Sequence, residues 1–353
     1  MCLRTLRYNS VNYLFVLQLL RKAIDVSYQV ALPSGVDWKN VLKLATEQGV
    51  QGICLEAIEQ LPLGTIPQQT LLQWIGASEM QRQHFEQAWS VACKLDKLWA
   101  AEGIHATVLK GRSIAKYYPV PSHRYSCDLD VFIGEEWGRA CELLEGQEIR
   151  LNREVYKEVE FNLDNVYVEC HRYITPVRGN SHLREFERYL RSLLSSAPQQ
   201  YFEGTTLVCP QLMFTVMLYI EHALGDLLHG HLTLKHIVDW VVLRRQNLNR
   251  ELLVIYCKEF NFDKFLPLID AFADVVEGKM DYNELSPSYK ETFEELFKIP
   301  VTRIHRSWFG KRIELFFTIL RNGKTYRQYG YTSMPSFLIN SVWTHFCAKE
   351  VRL

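Results

Sequence analysis

The stretch from residue 107 to residue 133 constrains the fold more than any other part of the 353-residue chain. Its pattern predicts a strand, a glycine turn at Gly111, a short helix, a proline-containing loop and a second strand that carries Asp128 and Asp130. Residues i and i+2 of a strand point to the same face and lie about 6–7 Å apart. We therefore expect the two carboxylates to project together, while Leu129 points towards a core.

The charge of this pair makes it a candidate metal site. Neighbouring carboxylates repel each other, so a folded chain holds them together only with a cation or at an exposed position. Mg²⁺ binds hard oxygen ligands and typically uses one or two carboxylates together with substrate phosphates. The spacing of Asp128 and Asp130 alone is a weak signal, but the upstream turn at Gly111 strengthens it. The sequence thus predicts a Mg²⁺ site, with Mn²⁺ as an alternative ion.

A third carboxylate follows on a predicted hairpin, in which two strand-like segments flank a tight turn at Asp164 and Asn165. On the second strand, Glu169 and His171 share one face. Glu169 reaches the pocket of the two aspartates if this hairpin lies beside their strand. Glu160 and Asp164 are the alternatives for the third carboxylate.

At these residues the chain resembles a known family. The similarity lies in Leu-Lys-Gly at 109–111, in Arg124-x-x-x-Asp128-x-Asp130 and in Val-Glu-Cys-His at 168–171. These elements resemble the bacterial uncharacterised nucleotidyltransferase family of the DNA polymerase beta-like superfamily. The signature of that superfamily is Gly-Ser, a spacer and Asp-x-Asp, with a third carboxylate on a neighbouring strand. Here Gly-Arg-Ser replaces Gly-Ser, and the spacer is slightly long.

The resemblance implies a role for each residue type. Nucleotidyl transfer develops charge on phosphate oxygens, so the protein mainly positions groups and neutralises charge. Asp128 and Asp130 would bind the metal, and Glu169 would be the third ligand or the general base. The implied nucleotide-binding residues are Lys110, Gly111, Arg112, Ser113 and Arg124. Gly111 lets the backbone approach a phosphate, and Ser113 lies at a helix start, which attracts anions. The three cations offset the charge of the phosphates. His171 is an acceptor-side candidate or caps the sheet edge.

A second cluster of metal-binding residue types lies in the helical pattern after residue 211. It comprises His222, Asp226, His229, His231, His236 and Asp239. The first three fall at i, i+4 and i+7, on one face if the helix continues. We expect Gly225 and Gly230 to break that helix, and the adjacent His-Asp pair of metal-dependent phosphohydrolases is missing. His222 and Asp239 are therefore expected to line the acceptor side of the cleft or to form buried hydrogen bonds.

The segment 301–330 carries a one-sided charge. Its cations are Arg303, Arg306, Lys311, Arg312, Arg321, Lys324 and Arg327, against Glu314. Interleaved aromatic residues make nucleic acid or a phosphorylated acceptor a possible ligand. The exposed face of an amphipathic helix is the simpler interpretation. Nucleic acid is therefore an unlikely partner but stays open as an alternative.

Composition narrows the class of protein. With 48% hydrophobic residues the chain can bury a large core, and equal counts of 40 basic and 40 acidic residues give no global field that recruits nucleic acid. Nine cysteines without a C-x-x-C pair favour a reducing cytoplasm. The apolar run at 11–20 contains Asn12 and Gln18 and predicts an amphipathic helix rather than a secretory signal. No stretch reaches the ~18 apolar residues of a membrane span, so we expect no membrane partner.

Together these features predict an α+β protein with a small mixed β-sheet of the nucleotidyltransferase type. We expect this core at residues 107–198, after a helical N-terminal region at 1–106 and before a helical C-terminal domain at 199–353. The expected reaction transfers a nucleoside monophosphate from a triphosphate such as ATP to a small-molecule, peptide or protein acceptor, with release of pyrophosphate. Two alternatives remain: an inactive nucleotide- or partner-binding protein of the same fold, and an RNA-directed enzyme or binder using the basic C-terminal segment.

Overall fold

A computed structural model describes residues 10–177, 181–196, 198–297 and 322–330. The strands are β1 (Thr107–Val108), β2 (Asp128–Phe132), β3 (Glu158–Leu163), β4 (Val166–His171), β5 (Gln200–Tyr201) and β6 (Val208–Cys209). The helices before β3 are α1 (Ser10–Ile24), α2 (Trp38–Glu47), α3 (Gln51–Ile58), α4 (Gln68–Ala100), α5 (Arg112–Ala115) and α6 (Trp137–Gly146). Those after β4 are α7 (Ser181–Ser196), α8 (Leu212–His229), α9 (Leu234–Arg244), α10 (Arg250–Glu259), α11 (Phe265–Glu277), α12 (Pro287–Glu295) and α13 (Gly323–Tyr329).

The six strands form a mixed sheet in the order β3-β4-β2-β1-β6-β5. β2 runs parallel to β4 and β1 runs parallel to β6, whereas the other neighbours are antiparallel. A mixed sheet among many helices confirms the predicted α+β fold. β5 and β6 follow residue 198, so the sheet takes two strands from the segment that the sequence predicted to be helical.

The two faces of the sheet differ in polarity. Leu129 and Val131 of β2 belong to a hydrophobic core that also contains Trp99 of α4 and Leu144 of α6. The alternate residues of β2 and β4, among them Asp128, Asp130 and Glu169, point to the opposite face because successive strand residues alternate in direction. One face is therefore a packed core, and the other carries the candidate site.

A second, larger core joins the N-terminal helices to the C-terminal ones. It includes Phe15 of α1, Trp240 of α9 and Phe272 of α11, and α1 packs directly on α11. The helix α4 belongs to both cores, since Trp74 near its start lies in the larger core and Trp99 near its end lies in the sheet core. With 33 residues, α4 is about 50 Å long at 1.5 Å per residue. It connects the two halves of the molecule.

Several helix boundaries follow signals in the sequence. The Asp37 carboxylate accepts a hydrogen bond of 3.2 Å from the Asn40 N–H, which confirms the predicted cap of α2. Gly230 and Gly278 end α8 and α11 in the left-handed conformation that favours glycine. Pro287 is the first residue of α12.

The predicted break at Gly225 is wrong. The helix α8 continues through this residue to His229, and a Cβ at Gly225 would meet no atom within 4 Å. A glycine inside a helix costs only about 1 kcal/mol relative to alanine, and tertiary packing of the buried α8 face outweighs that cost. His222 and Asp226 therefore lie one turn apart on one helix.

Within the described ranges, the helices are all too short or too polar to cross a membrane. Most of the basic segment, namely Arg303, Arg306, Lys311, Arg312 and Arg321, lies outside the described residues. Its last two cations are on α13, where Lys324 pairs with Glu291 and Arg327 donates to the Gly323 carbonyl. Nucleic-acid binding by this segment stays a prediction.

Candidate active site

The pairing of β2 with β4 brings the three predicted carboxylates to one face. The strands run parallel, with Asp130 opposite Glu169 and Asp128 opposite Tyr167. The predicted hairpin of β3 and β4 thus lies beside the aspartate strand, with the expected turn at Asp164 and Asn165. This register is the condition under which Glu169 was predicted to reach the aspartates.

Asp130 is buried at the centre of the group. It is 3% exposed, and its Oδ1 lies 2.8 Å from Lys110 Nζ and 3.0 Å from His171 Nε2. Burial alone would raise the pKa of Asp130, but Lys110 and His171 outweigh it and hold that pKa well below its usual range. Burial likewise opposes the charge of Lys110, whose pKa is nevertheless raised by Asp130, Asp128 and Glu169. Lys110, predicted to contact a phosphate, is therefore a counter-ion of the carboxylates in this structure.

His171 lies beneath the carboxylates and is 1% exposed. Its Nε2 lies 3.0 Å from Asp130 and 3.5 Å from Glu169, and its Nδ1 lies 2.9 Å from Glu158 Oε2 without hydrogen-bond alignment. Burial and Lys157 lower the pKa of His171, but the three surrounding carboxylates raise it to about 9. His171 was predicted on the acceptor side or as a cap of the sheet edge. In the structure it is buried among carboxylates of three strands, Asp130 of β2, Glu158 of β3 and Glu169 of β4.

Asp128 and Glu169 are the more accessible members of the group. Burial and the repulsion from Asp130 raise the pKa of Asp128, with Lys110 opposing. The side chain of Glu169 is 19% exposed. Ligand atoms of Asp130, Glu169 and His171 lie within 4.8 Å of one another, and Asp128 is outside that set. Among the described residues, Asp128 therefore lies farther from this set than its members lie from one another.

The two alternatives for the third carboxylate lie in different places. Glu160 of β3 is directly opposite Glu169, and together with Glu158 they form another set of ligand atoms within 4.8 Å. Asp164 lies in the exposed turn and pairs with Lys94 of α4. Glu160 thus borders the site, and Asp164 does not.

The glycine turn after β1 packs closely against the start of β2. Gly111 has φ +45°, and a Cβ there would approach Ser126 Oγ to 3.3 Å, so a side chain would strain both the backbone and this contact. The Ser113 hydroxyl is fully buried and donates a hydrogen bond of 2.6 Å to the Val108 carbonyl. In this structure Ser113 stabilises the turn, and its predicted contact with the nucleotide stays a prediction.

Arg112 points towards α4 rather than towards the carboxylates. Its Cζ lies 4.5 Å from the ring centre of Phe85 and 4.1 Å from that of Trp89, both cation–π distances. Burial lowers the pKa of Arg112, with Glu86 and Cys93 opposing. A guanidinium is charged under all ordinary conditions, so the aromatic rings hold a cation here.

A cleft opens between α4 and the glycine turn, and we call it the α4 cleft. It is lined by His84, Phe85, Ala88, Trp89, Val108, Lys110, Gly111, Arg112, Ser126, Asp128, Leu129 and Asp130. The space between these residues is narrow and partly open to solvent. The α4 cleft therefore connects the two aspartates to Arg112.

Arg124 and Asp239 face each other rather than the predicted nucleotide. Arg124 is 4% exposed, and its Nε and Nη2 each donate a hydrogen bond of 2.8 Å to the Asp239 carboxylate. The Tyr118 hydroxyl donates a third, of 2.6 Å. Burial opposes the charge of Asp239, but Arg124 holds its pKa below the usual value. The pair joins the segment before β2 to α9.

Two histidines of the cluster, His222 and His236, lie beside Asp226. His236 Nε2 lies 2.9 Å from Asp226 Oδ2, and His222 Nε2 lies 3.4 Å from the same oxygen. The Thr233 N–H donates to His236 Nδ1, so the ring proton of neutral His236 is on Nε2 and points at Asp226. Because that nitrogen carries a proton, this arrangement disfavours a metal ligand at His236. Asp239 is not part of the cluster.

Two charged residues of α8 and α9 near the site escaped the sequence analysis. Lys235 lies in the first turn of α9. Burial and Arg124 lower the pKa of Lys235, and Asp128 is among the carboxylates that oppose this shift. Glu221 of α8 is buried, which raises its pKa to about 7, with Lys157 and Lys110 opposing. The signal for Lys235 was the capping pattern Thr-x-x-His at 233–236, which places it at a helix start.

Comparison with known proteins adds one finding. A family model described as "Uncharacterised nucleotidyltransferase" matches residues 34–275, more than half of the chain. The match spans both aspartates, Glu169, His222 and Asp239. No curated protein and no solved structure matches the chain.

Proposed function

The chain belongs to the uncharacterised nucleotidyltransferase family, and from that premise we propose that Asp128, Asp130 and Glu169 carry its reaction. The reaction moves a nucleoside monophosphate from a nucleoside triphosphate to an acceptor and releases pyrophosphate. The observation that supports this proposal most is the parallel register of β2 and β4, which sets Asp130 beside Glu169. Two strands remote in sequence thus contribute to one acidic face.

The residues fit a divalent cation such as Mg²⁺ or Mn²⁺. Lys110 and His171 approach Oδ1 of Asp130, which leaves its Oδ2 and the carboxylates of Asp128 and Glu169 as oxygen ligands. Burial and, after it, the repulsion from Asp130 raise the pKa of Asp128, and Lys110 offsets this only in part. Hard oxygens in excess over nearby cations are what such an ion binds. When bound, it supplies charge neutralisation at the phosphate oxygens.

Each residue of the group has a separate task in this proposal. Glu169, accessible to solvent, accepts the proton of the acceptor hydroxyl. Lys110 stays charged beside Asp130 and moves to a phosphate oxygen when the carboxylates gain another counter-ion. His171 is a positioning residue, because it touches the carboxylates from below and has no exposed surface for substrate.

The acceptor enters from the side of α8 and α9 in this proposal. The charges of Lys110 of the site and Lys235 of α9 both lower the pKa of His222 on α8, after burial, so His222 lies within electrostatic range of the site. The side chain of His222 is 41% exposed and borders that space. The acceptor in this proposal is a small molecule, a peptide or a protein that carries a hydroxyl or phosphate nucleophile.

Replacement of one carboxylate tests the proposal. Asp128→Asn removes the charge and keeps the size, so pyrophosphate release from Mg²⁺–nucleoside triphosphate should fall by at least about 100-fold, the range for loss of one group that stabilises transition-state charge. The thermal transition should stay close to that of the wild type, because Asp128 is among the more accessible carboxylates.

The matched control is Asp164→Asn, which changes a carboxylate in the turn of the neighbouring β3–β4 hairpin whose partner is Lys94 on the surface. It should retain pyrophosphate release. Full activity of Asp128→Asn, or equal loss in both variants, would refute the assignment of this acidic face as the catalytic site.

A further inference from the structure

Tyr167 brings a hydroxyl group to the acidic face of the sheet. It lies on β4 two positions before Glu169, so the two side chains point to the same face, and it is directly opposite Asp128 of β2. Its side chain is half-buried and is therefore partly accessible to a substrate. A nucleophile of the kind that the proposed reaction needs thus lies among the carboxylates that carry this reaction.

The Tyr167 hydroxyl has a carboxylate beside it. Among the acidic residues, Glu160 of β3 interacts with this hydroxyl most strongly, and Glu169 and Glu158 act on it through their charge. Glu160 and Tyr167 are diagonal neighbours in the antiparallel register of β3 and β4, a spacing that an aromatic side chain can reach across. Glu160 accepts a hydrogen bond of 2.8 Å from Asn152, and no cation among the described residues pairs with it. Glu160 is therefore available to accept a proton.

The serine hydroxyl groups near the aspartates are engaged differently. Ser113 donates to the Val108 carbonyl at 2.6 Å, and Ser126 donates to the Asp128 carbonyl at 3.2 Å. A hydroxyl that donates to a backbone carbonyl has no base there to take its proton, because an amide oxygen is not protonated at neutral pH. Of these three hydroxyl groups, only that of Tyr167 interacts with a carboxylate.

We propose that Tyr167 is a nucleotide acceptor within the same chain, and that Glu160 is the base that takes its proton. This inference rests on the proposed function, because the acidic face has to hold the reacting phosphate. It adds a phenolic hydroxyl of the chain itself to the acceptors of that reaction. A nucleophile fixed beside the reacting phosphate needs no diffusional encounter, which favours transfer to it.

The transfer step balances without a further reactant. The phenolic oxygen of Tyr167 attacks the α-phosphorus of the nucleoside triphosphate, and the new O–P bond forms as the bond between that phosphorus and the bridging oxygen breaks. Pyrophosphate leaves with the bonding electron pair, and the phenol proton passes to Glu160 and then to water. The product is a phosphodiester that joins Tyr167 to the nucleoside. A phenol keeps its proton at neutral pH, so a base at this position increases its reactivity.

Mass spectrometry of the full chain tests the acceptor. After incubation with Mg²⁺ and ATP, the intact mass should increase by one adenylate group per chain, and peptide fragmentation should place that group on Tyr167. Tyr167→Phe keeps the ring and removes the nucleophile, so it should form no adduct, while its affinity for ATP in titration calorimetry should stay within about twofold of the wild type. The matched control is Tyr125→Phe, which changes an exposed tyrosine just before β2 and should keep the adduct on Tyr167.

Glu160→Gln tests the base. Loss of a general base should slow adduct formation by about 100-fold or more, with unchanged affinity for ATP. Between about pH 7 and pH 9 the remaining rate should rise more steeply than that of the wild type, because hydroxide replaces the missing base, whereas a purely structural defect would not respond in this way. An unchanged rate in Glu160→Gln would refute the role of Glu160 as the base.

The outcomes separate this inference from the proposed function. Pyrophosphate release by the wild type without an adduct on Tyr167 refutes the inference and leaves the proposed reaction intact, and an adduct on Tyr125 instead does the same. A rate per chain that rises with protein concentration would show transfer between copies and contradict an acceptor within the same chain. Absence of both pyrophosphate release and adduct refutes the proposed reaction, and the inference with it.

Discussion

Two pairs of a cation and a buried carboxylate, Arg124 with Asp239 and Lys110 with Asp130, have different surroundings. Arg124 and Asp239 share two hydrogen bonds of 2.8 Å, and Tyr118 adds a third to the carboxylate. Lys110 and Asp130 approach to 2.8 Å as well, but further acidic side chains crowd them. The chemistry of the contacts is similar, so the difference lies in what surrounds each pair.

The comparison separates a structural contact from a reactive one. The charge of Asp239 is matched by one bidentate partner, and such a pair holds its elements together without attracting further ions. Around Lys110, the three carboxylates Asp130, Asp128 and Glu169 act on one ammonium group. Burial and the repulsion from Asp130 raise the pKa of Asp128 there. The first pair resists rearrangement, whereas the second gains from a new counter-ion.

The largest expected effect comes from breaking the matched pair. Arg124→Met leaves the Asp239 charge buried without its partner and should lower the free energy of unfolding by about 3–5 kcal/mol, measured by urea denaturation. Arg82→Met, which breaks the exposed pair with Glu79 on α4, is the control and should cost no more than about 1 kcal/mol. Equal losses of unfolding free energy in the two variants would mean that the contact between Arg124 and Asp239 stabilises the fold no more than an exposed ion pair does.

Asp130→Asn should reduce activity more than it reduces stability. The change relieves repulsion from Asp128 and Glu169 but removes the charge that Lys110 and His171 stabilise, and the lowered pKa of Asp130 shows that the stabilising contacts prevail. The free energy of unfolding should therefore fall, but by less than in Arg124→Met, because Lys110 and His171 keep other carboxylates nearby. Pyrophosphate release should nevertheless fall by about 100-fold or more. A destabilisation as large as that of Arg124→Met would place Asp130 among the structural carboxylates.

Acid should weaken the matched pair in a defined pH range. The folded pKa of Asp239 lies below the usual value for an aspartate, because Arg124 outweighs burial. Its stabilising contribution is therefore complete above the unfolded pKa and is lost as the pH falls through the folded one. The difference in unfolding free energy between wild type and Asp239→Asn should shrink as the pH drops from about 6 to about 3. A constant difference would contradict this origin of the stability.

The smallest effect should come from a change that touches neither pair. Gly225→Ala fills open space on α8 and removes backbone freedom from the unfolded chain. It should raise the free energy of unfolding by about 0.5–1 kcal/mol in thermal or urea denaturation, without affecting pyrophosphate release. A loss of stability would show that α8 needs the glycine, and Gly225→Ala could then no longer serve as a reference for the effects at the two pairs.

The local part of the site was predictable from the sequence. The common face of Asp128 and Asp130 follows from the two-residue period of a strand, and the turn of the β3–β4 hairpin follows from Asp164-Asn165. The position of Glu169 needed one more fact, the parallel pairing of two strands far apart in sequence. No local pattern specifies that pairing, so the sequence could predict the position of Glu169 only on the assumption that the hairpin pairs with β2.

Other contacts were beyond sequence reasoning for physical reasons. Arg124 and Asp239 are 115 positions apart, and neither residue signals its partner. The strands β5 and β6 contain two residues each, too few for an alternation to be visible. Gly225 looked like a break because propensity favours one, and tertiary packing overrode it.

The length of α4 has a mechanical consequence. This helix is anchored by Trp74 in one core and by Trp99 in the other, and His84 to Trp89 lie between these anchors, on the wall of the α4 cleft. Because both ends of α4 are packed in a core, its middle cannot move away from the α4 cleft without disturbing the packing at one end or the other. Any widening of the entrance therefore has to tilt the whole helix, which couples substrate entry to the packing of both halves of the protein.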